Sequence, residues 1–252
     1  MTSMADKVVI LGDGPFREPL ATFLASQRVA CISPEQADGR DVLAVIDVQT
    51  GCDGGKRDWL VGAECVVSER TPIFTSVLHR TATEIASWLA HPERVVGFSP
   101  VQFADMPVVE VCRPLQAEED ASWTDHLQVL AGWGKEVEEV GDEPGLVFPR
   151  TLALLVNEAA FALAEKIADK EDIDVAMRKG TNWPYGPLEW ADRIGIDQIV
   201  AILTGLEREL GEERYRPAPL LRKMVYAGYL GRASGRGFYC YDEQSVRKGA
   251  EG

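Results

Sequence analysis

Apolar residues along the first half of the chain come in short blocks, each closed by a turn residue. Lys7-Val-Val-Ile-Leu-Gly12 predicts a buried strand that stops at a glycine, and Glu18 to Ser26 a helix. Arg28-Val-Ala-Cys-Ile-Ser33 and Asp41-Val-Leu-Ala-Val-Ile-Asp47 predict the second and third strands. Only seven residues, 34–40, lie between them, too few for a helical crossover but able to reach roughly 23 Å when extended. A further strand is expected at Glu64–Ser68, followed by the segment Thr71–Leu78 and by helical sequence at Thr83–Ala86, and Arg94–Phe98 and Val108–Val111 complete the alternation of strands and helices. Strands alternating with helices predict a doubly wound α/β domain. From about Pro144 the period changes to helical. Thr151–Ile167 is long, Ala/Leu-rich and apolar around much of its girth, so it is expected to be buried on more than one side. A second helix is expected from Lys170 to a glycine cap at Gly180. A third starts at Pro187, a fourth covers Ile194–Leu210, and a fifth covers Leu220–Ala227. The chain thus reads as an α/β domain over 1–141 and an all-α domain over 142–252.

Composition narrows the class. The 252 residues are 46% hydrophobic and 26% charged, which excludes a disordered chain, and no apolar run of about 18 residues predicts a membrane span. The formal charge of −14, with no offsetting basic cluster, argues against nucleic acid or an anionic membrane as partner. Five scattered cysteines without CxxC spacing read as reduced thiols of a cytoplasmic protein, not as a disulfide frame or a metal site. The N-terminal residues lack a signal-peptide core and lead straight into the first strand.

Gly12-Asp-Gly14 between strand and helix is the opening of a Rossmann-like dinucleotide fold. Gly12 permits the tight turn and Gly14 lets backbone amides approach a pyrophosphate. The third glycine of the pattern is replaced by Arg17. The acid that ordinarily ends the second strand and holds the adenosine ribose is replaced by Ser33. A strand-to-helix turn without a nucleotide fits these residues equally.

Two later segments carry more information. Gly180-Thr-Asn-Trp-Pro-Tyr-Gly-Pro-Leu-Glu-Trp-Ala-Asp-Arg-Ile-Gly-Ile-Asp197, followed by Pro219 to Tyr241, closely resembles the C-terminal helical domain of the 3-hydroxyacyl-CoA dehydrogenases. That resemblance implies a reduced Rossmann-like domain joined to an all-α dimerisation domain. It also implies NAD as cofactor, an acyl-CoA-type ligand and a homodimer formed through the helical domain. The implied reaction is oxidation of a 3-hydroxyacyl-CoA to the 3-oxoacyl-CoA, as in fatty-acid metabolism. Thr75-Ser76-Val-Leu78 is similar to the family's Thr-Ser-Ser-Leu, which puts Ser76 where a serine bonds the substrate hydroxyl; a helix cap is the other reading of Ser76. Arg94-Val-Val-Gly97-Phe-Ser99-Pro100 matches the segment in which the family carries its catalytic histidine, and Ser99 stands in that place. Glu110 matches the glutamate that orients this histidine, with a solvent-facing strand residue as the alternative. Pro149 replaces an active-site asparagine, and the helical hairpin that helps hold the acyl-CoA is missing between the second and third strands.

Serine is no general base near neutral pH, and the only histidines are His79, His91 and His126. The resemblance therefore implies a dehydrogenase whose active-site residues include Ser76 and Glu110 and whose dinucleotide turn is Gly12 and Gly14. The alternative is a catalytically inactive relative acting as a dimeric scaffold or acyl-CoA-type ligand binder. The glycine-rich end, Gly231 to Tyr241, reads as turns and docking aromatics, since no strand precedes it and no Gly-Lys-Ser/Thr follows.

Overall fold

The computed structural model describes residues 6–38, 41–51 and 53–241. Two compact units meet in the chain between Val147 and Phe148, slightly beyond the 141/142 change of periodicity.

In the first unit seven strands form one sheet: β1 (Lys7–Leu11), β2 (Ala30–Ile32), β3 (Val42–Asp47), β4 (Ile73–Ser76), β5 (Val95–Phe98), β6 (Val108–Cys112) and β7 (Glu136–Val140). Their order is β2-β1-β3-β4-β5-β6-β7, and every pairing is parallel except β5 with β6. Val8, Val9, Ile10, Ala44, Val45, Ile73 and Phe74 are at most 2% exposed, so the central strands are covered on both faces. This is why they read as continuous apolar runs and not as alternating ones. Helices α1 (Arg17–Ser26), α2 (Asp53–Val66), α3 (Ala82–Ala86) and α4 (Trp123–Gly132) complete the unit.

The link from β2 to β3 contains only a short 3-10 turn at Pro34–Gln36 among its described residues, as its length requires. The strand expected at Glu64–Ser68 does not form, because Glu64–Val66 is the last turn of α2. Leu60, Ala63 and Val67 are buried at three- and four-residue spacing while Cys65 is exposed, which is a helical and not an extended pattern. β7 was not anticipated. Its sequence, Glu-Val-Glu-Glu-Val, places charge along the sheet edge, where it discourages pairing with other chains.

The second unit is helical: α5 (Phe148–Ala164), α6 (Lys170–Thr181), α7 (Pro187–Ile194), α8 (Ile196–Leu210) and α9 (Pro219–Tyr226). Leu152, Ala153, Val156 and Ala160 of α5 are fully buried, and α5 packs on α7, α8 and α9. Asp169 caps α6 by accepting from the Asp172 N–H at 2.9 Å. Helix α6 runs past Gly180; Asn182, at φ 56°, takes the left-handed cap instead.

Two buried carboxylates organise the end of this unit. Asp174 accepts the Leu188 and Glu189 N–H groups at 2.8 and 2.9 Å, capping α7 from α6, and the Tyr239 hydroxyl at 2.9 Å. Asp192 accepts the Phe238 and Tyr239 N–H groups, both at 2.8 Å, and the Tyr241 hydroxyl at 2.9 Å. The tail from Gly231 to Tyr241 is thereby docked on α7, which is the turn-and-aromatic role its composition suggested.

Candidate functional site

The candidate residues of the first unit collect at the carboxyl end of the parallel strands, where open α/β sheets bind ligands. The glycine turn follows β1. Gly12 has φ +87°, and a Cβ there would lie 2.8 Å from the Gln49 backbone nitrogen. Gly14 has φ +124° with no other atom within 4 Å of a Cβ position, so this side of the turn is open to a ligand. Among the described residues no side chain caps the start of α1, and its first N–H, of Arg17, donates to the Gly14 carbonyl at 3.3 Å. Together these are the features that hold a phosphate at a helix N-terminus.

Arg17 does not close the turn. Its Nη1 donates to the Gly12 carbonyl at 2.7 Å and to the Ile10 carbonyl at 3.3 Å, so the side chain lies along the end of β1. Ser33 follows β2 and opens the 3-10 turn, its N–H donating to Gln36 Oε1 at 3.0 Å. The Ser33 hydroxyl and the Glu35 backbone N–H hold the Glu35 carboxyl below its ordinary range. An acid is therefore present three residues beyond the strand, on an exposed turn.

Ser76 ends β4 and is 2% exposed, and its hydroxyl has no partner among the described residues. It is not a helix cap: Thr81 caps α3, its hydroxyl accepting from the Glu84 N–H at 3.1 Å. On β5, Phe98 pairs with Ser76 in register. Ser99 follows, 6% exposed, with its N–H donating to the Glu110 carbonyl at 3.3 Å and its Oγ accepting from Val101 N–H at 3.3 Å. Ser76, Ser99 and Glu110 thus lie on three neighbouring strands. The Glu110 side chain is half-buried and its Oε2 accepts from Val147 N–H at 3.0 Å, so it does not simply face solvent.

The histidines are dispersed. His79 is half-buried three residues beyond β4. His91 lies near Glu69 and Glu93, at 3.7 and 3.4 Å. His126 on α4 is buried with Nδ1 3.8 Å from Asp120, and burial pushes its imidazole below the usual range despite the acids nearby. Pro149 occupies the first turn of α5 in the second unit, where it offers neither a side-chain amide nor an N–H.

Sequence reasoning missed a buried ion pair at the same strand ends. Lys56 of α2 lies 2.8 Å from Asp47 Oδ2, with side chains 6% and 1% exposed. Thr75 donates to the same carboxylate oxygen at 2.6 Å. Asp47 was legible only as the polar end of an apolar strand, and Lys56 as one charge among many on a helix.

Comparison with known proteins adds independent findings. The sequence pattern of the 3-hydroxyacyl-CoA dehydrogenase C-terminal domain matches residues 145–241. A probable 3-hydroxybutyryl-CoA dehydrogenase of Bacillus subtilis is 37% identical over 214 residues, covering 84% of this chain and 73% of the relative. A 3-hydroxybutyryl-CoA dehydrogenase of Clostridioides difficile is 34% identical over 209 residues, 82% of this chain and 73% of the relative. A third, from Bradyrhizobium diazoefficiens, is 40% identical over 162 residues, and the match spans 54% of its length. Among solved structures, (S)-3-hydroxybutyryl-CoA dehydrogenase PaaH1 of Ralstonia eutropha superposes with a TM-score of 0.75 at 28% identity, covering 95% of this chain and all of that one.

Proposed function

The chain belongs to the 3-hydroxyacyl-CoA dehydrogenase family, and on that premise we propose that it binds an NAD-type dinucleotide and a 3-hydroxyacyl-CoA-type ligand but performs the family's oxidation only slowly. The observation that carries this reading is Ser99. It is buried, it stands in the histidine's place, and its Oγ accepts a backbone N–H.

Bound NAD would supply the hydride acceptor for the C3–H of the substrate. Gly12, Gly14 and the uncapped start of α1 would hold its pyrophosphate, and the Ser33–Glu35 turn lies where the adenosine ribose is gripped in this fold. Ser76, with its unpartnered hydroxyl, bonds the substrate oxygen. The Ser99 hydroxyl cannot take the substrate proton near neutral pH, and loss of a general base costs about 10²–10⁴-fold in rate. Glu110 Oε2 accepts the Val147 N–H, and there is no imidazole at position 99 for it to orient.

The helical unit would form a homodimer. Ile167 and Tyr226 support this, being large side chains exposed at 72% and 84%. Proline at 149, where the family resemblance implies an asparagine, favours a second reading, a dimeric ligand-binding scaffold without turnover. Titration of NADH into the purified protein, followed by fluorescence, tests the proposal. Saturable binding that tightens with acetoacetyl-CoA supports it. No binding at millimolar NADH removes the dinucleotide and with it the oxidoreductase reading.

A further inference from the structure

Strands β1 and β2 run parallel with Val9 opposite Ile32, and the Ala30 N–H donates to the Asp6 carbonyl at 2.7 Å. Continued two residues at a time, this ladder joins Ile32 to Val8 and then brings residue 34 to the Ile10 carbonyl. Residue 34 is proline and has no N–H to give. Arg17 supplies the missing donor. Its Nη1 donates to the Ile10 carbonyl at 3.3 Å and to the Gly12 carbonyl at 2.7 Å, which fixes the guanidinium at the carboxyl end of β1, on the side that faces β2. Its charge is felt on β2 itself: burial raises the Cys31 thiol, and Arg17 opposes that rise.

The other edge of the guanidinium, carrying Nε and Nη2, is unused. Among the described residues neither nitrogen donates to an acceptor, and no carboxylate pairs with this half-buried side chain. Two parallel N–H groups on one planar edge match two oxygens of a phosphate. A fork already pinned through Nη1 also loses little further freedom when it binds.

In this fold the end of β2 lies beside the adenosine ribose. An acid there accepts from the 2′-hydroxyl of NAD, whereas an arginine nearby accommodates the 2′-phosphate of NADP. Here the acid is replaced by the neutral Ser33, level with Ile10 in the register, and an arginine arrives from the position of the third glycine. Glu35 is the competing group, a carboxylate three residues beyond β2 that would repel a phosphate. It is exposed, so water and salt screen its charge, while Arg17 is half-buried and held in place. The balance at the ribose favours an added anion.

We propose that Arg17 is a specificity-determining residue of the dinucleotide site, its Nε–Nη2 edge receiving the 2′-phosphate of an NADP-type cofactor, so that this chain prefers NADPH to NADH. The proposal rests on the functional reading above and departs from the NAD that the family resemblance implies.

The test compares equilibrium binding and is independent of turnover. Affinities for NADPH and NADH are measured by nucleotide fluorescence on the full chain. Those for 2′,5′-ADP and 5′-AMP, which differ only in the 2′-phosphate, are measured by calorimetry. Hydrogen bonds to a charged group are worth about tenfold or more in affinity, so wild type is expected to bind NADPH about tenfold or more tighter than NADH, which still saturates. The same ratio is expected between 2′,5′-ADP and 5′-AMP. Arg17→Gln is expected to bring both ratios to about one. Loss of the β1 contacts alone would weaken both nucleotides alike, so the ratio separates recognition from folding. Arg17→Lys keeps the charge without the fork; it is expected to fall between, and it serves if the glutamine variant does not fold. Ser33→Asp returns an acid to the ribose and is expected to invert the preference. NADH bound as tightly as NADPH by wild type, or a preference for NADPH that the Arg17 variants leave unchanged, overturns the proposal alone. A wild type that binds neither nucleotide overturns the functional reading and this proposal with it.

Discussion

Replacing Asp192 by alanine tests how the helical unit holds its tail. The carboxylate is 1% exposed and accepts three hydrogen bonds, two from the Phe238 and Tyr239 backbone and one from the Tyr241 hydroxyl. Each donor left buried without an acceptor costs about 1–3 kcal/mol. Phe238 is buried and takes most of that penalty, while the half-buried Tyr239 and Tyr241 regain some water. Alanine also removes the desolvation cost of the carboxylate itself, which burial pushes above the usual range of an aspartate. The balance is a loss of about 3–5 kcal/mol, the size expected when a buried hydrogen-bond network is broken. For a chain of this size each kcal/mol moves the melting temperature by about 2–4 °C, so a fall of about 6–20 °C is expected by circular dichroism. The exposed Arg236, which lies within the docked segment, gives a local readout. Trypsin is expected to cut there faster in the variant at a temperature where the rest of the unit remains helical. Asp192→Asn keeps one acceptor oxygen and is expected to fall between wild type and alanine. A melting temperature within about 2 °C of wild type, with unchanged cleavage, would refute the assignment of Asp192 as the tail's anchor.

Other expectations follow from the same coordinates. Ser99→His restores an imidazole and is expected to raise acetoacetyl-CoA-dependent NADH consumption by about 100-fold, at a packing cost of about 1–3 kcal/mol from the larger side chain. An unchanged rate in a folded variant would mean that the base is not what limits turnover. Gly97→Ala would place a Cβ against the Cys112 sulfur and 2.8 Å from Ala82 Cβ, and is expected to lower stability by about 1–3 kcal/mol, read as a lower urea midpoint. Acidification is expected to act oppositely on two clusters. Burial raises the Glu64 carboxyl, but the Ala90 and His91 N–H groups and Arg94 outweigh it and hold its pKa down. Its stabilisation is present above the unfolded-state pKa and lost as pH falls through the lower folded one. Asp174 and Asp192 are raised by burial, so the native state binds their protons first, and their strain is relieved as pH falls from the raised values toward the unfolded ones. Glu64→Gln is therefore expected to flatten the acid limb of the stability curve, and Asp192→Asn to steepen it.

Much of this was legible in the sequence where local chemistry decides the outcome. Buried parallel strands announce themselves as unbroken apolar runs, and β1, β3 and β5 lie within a residue of where those runs stop. Pro187 and the Gly12–Gly14 turn marked their elements because proline and glycine constrain the backbone directly. The end of α2 was misread because Cys-Val-Val is β-prone locally, whereas Leu60, Ala63 and Val67 settle the matter only when the whole helix is considered. β7 escaped notice because its glutamates face water at the sheet edge, leaving little apolar signal. The Asp47–Lys56 pair and the Asp192 clasp bring together residues 9 and 46–49 positions apart, and no local pattern encodes such pairings. Ser99 is the reverse case. Its interest came from the family resemblance, which leads one to expect a histidine in that segment, and the structure adds that the serine is buried and that its Oγ accepts from Val101 N–H.

The most direct measurement is NADH consumption with saturating acetoacetyl-CoA, run beside the Bacillus subtilis relative under identical conditions. The account predicts saturable NADH binding with a rate about 10²–10⁴-fold below that of the relative, the deficit expected when a general base is missing. A rate equal to the relative's, or no binding of NADH at millimolar concentration, would contradict it.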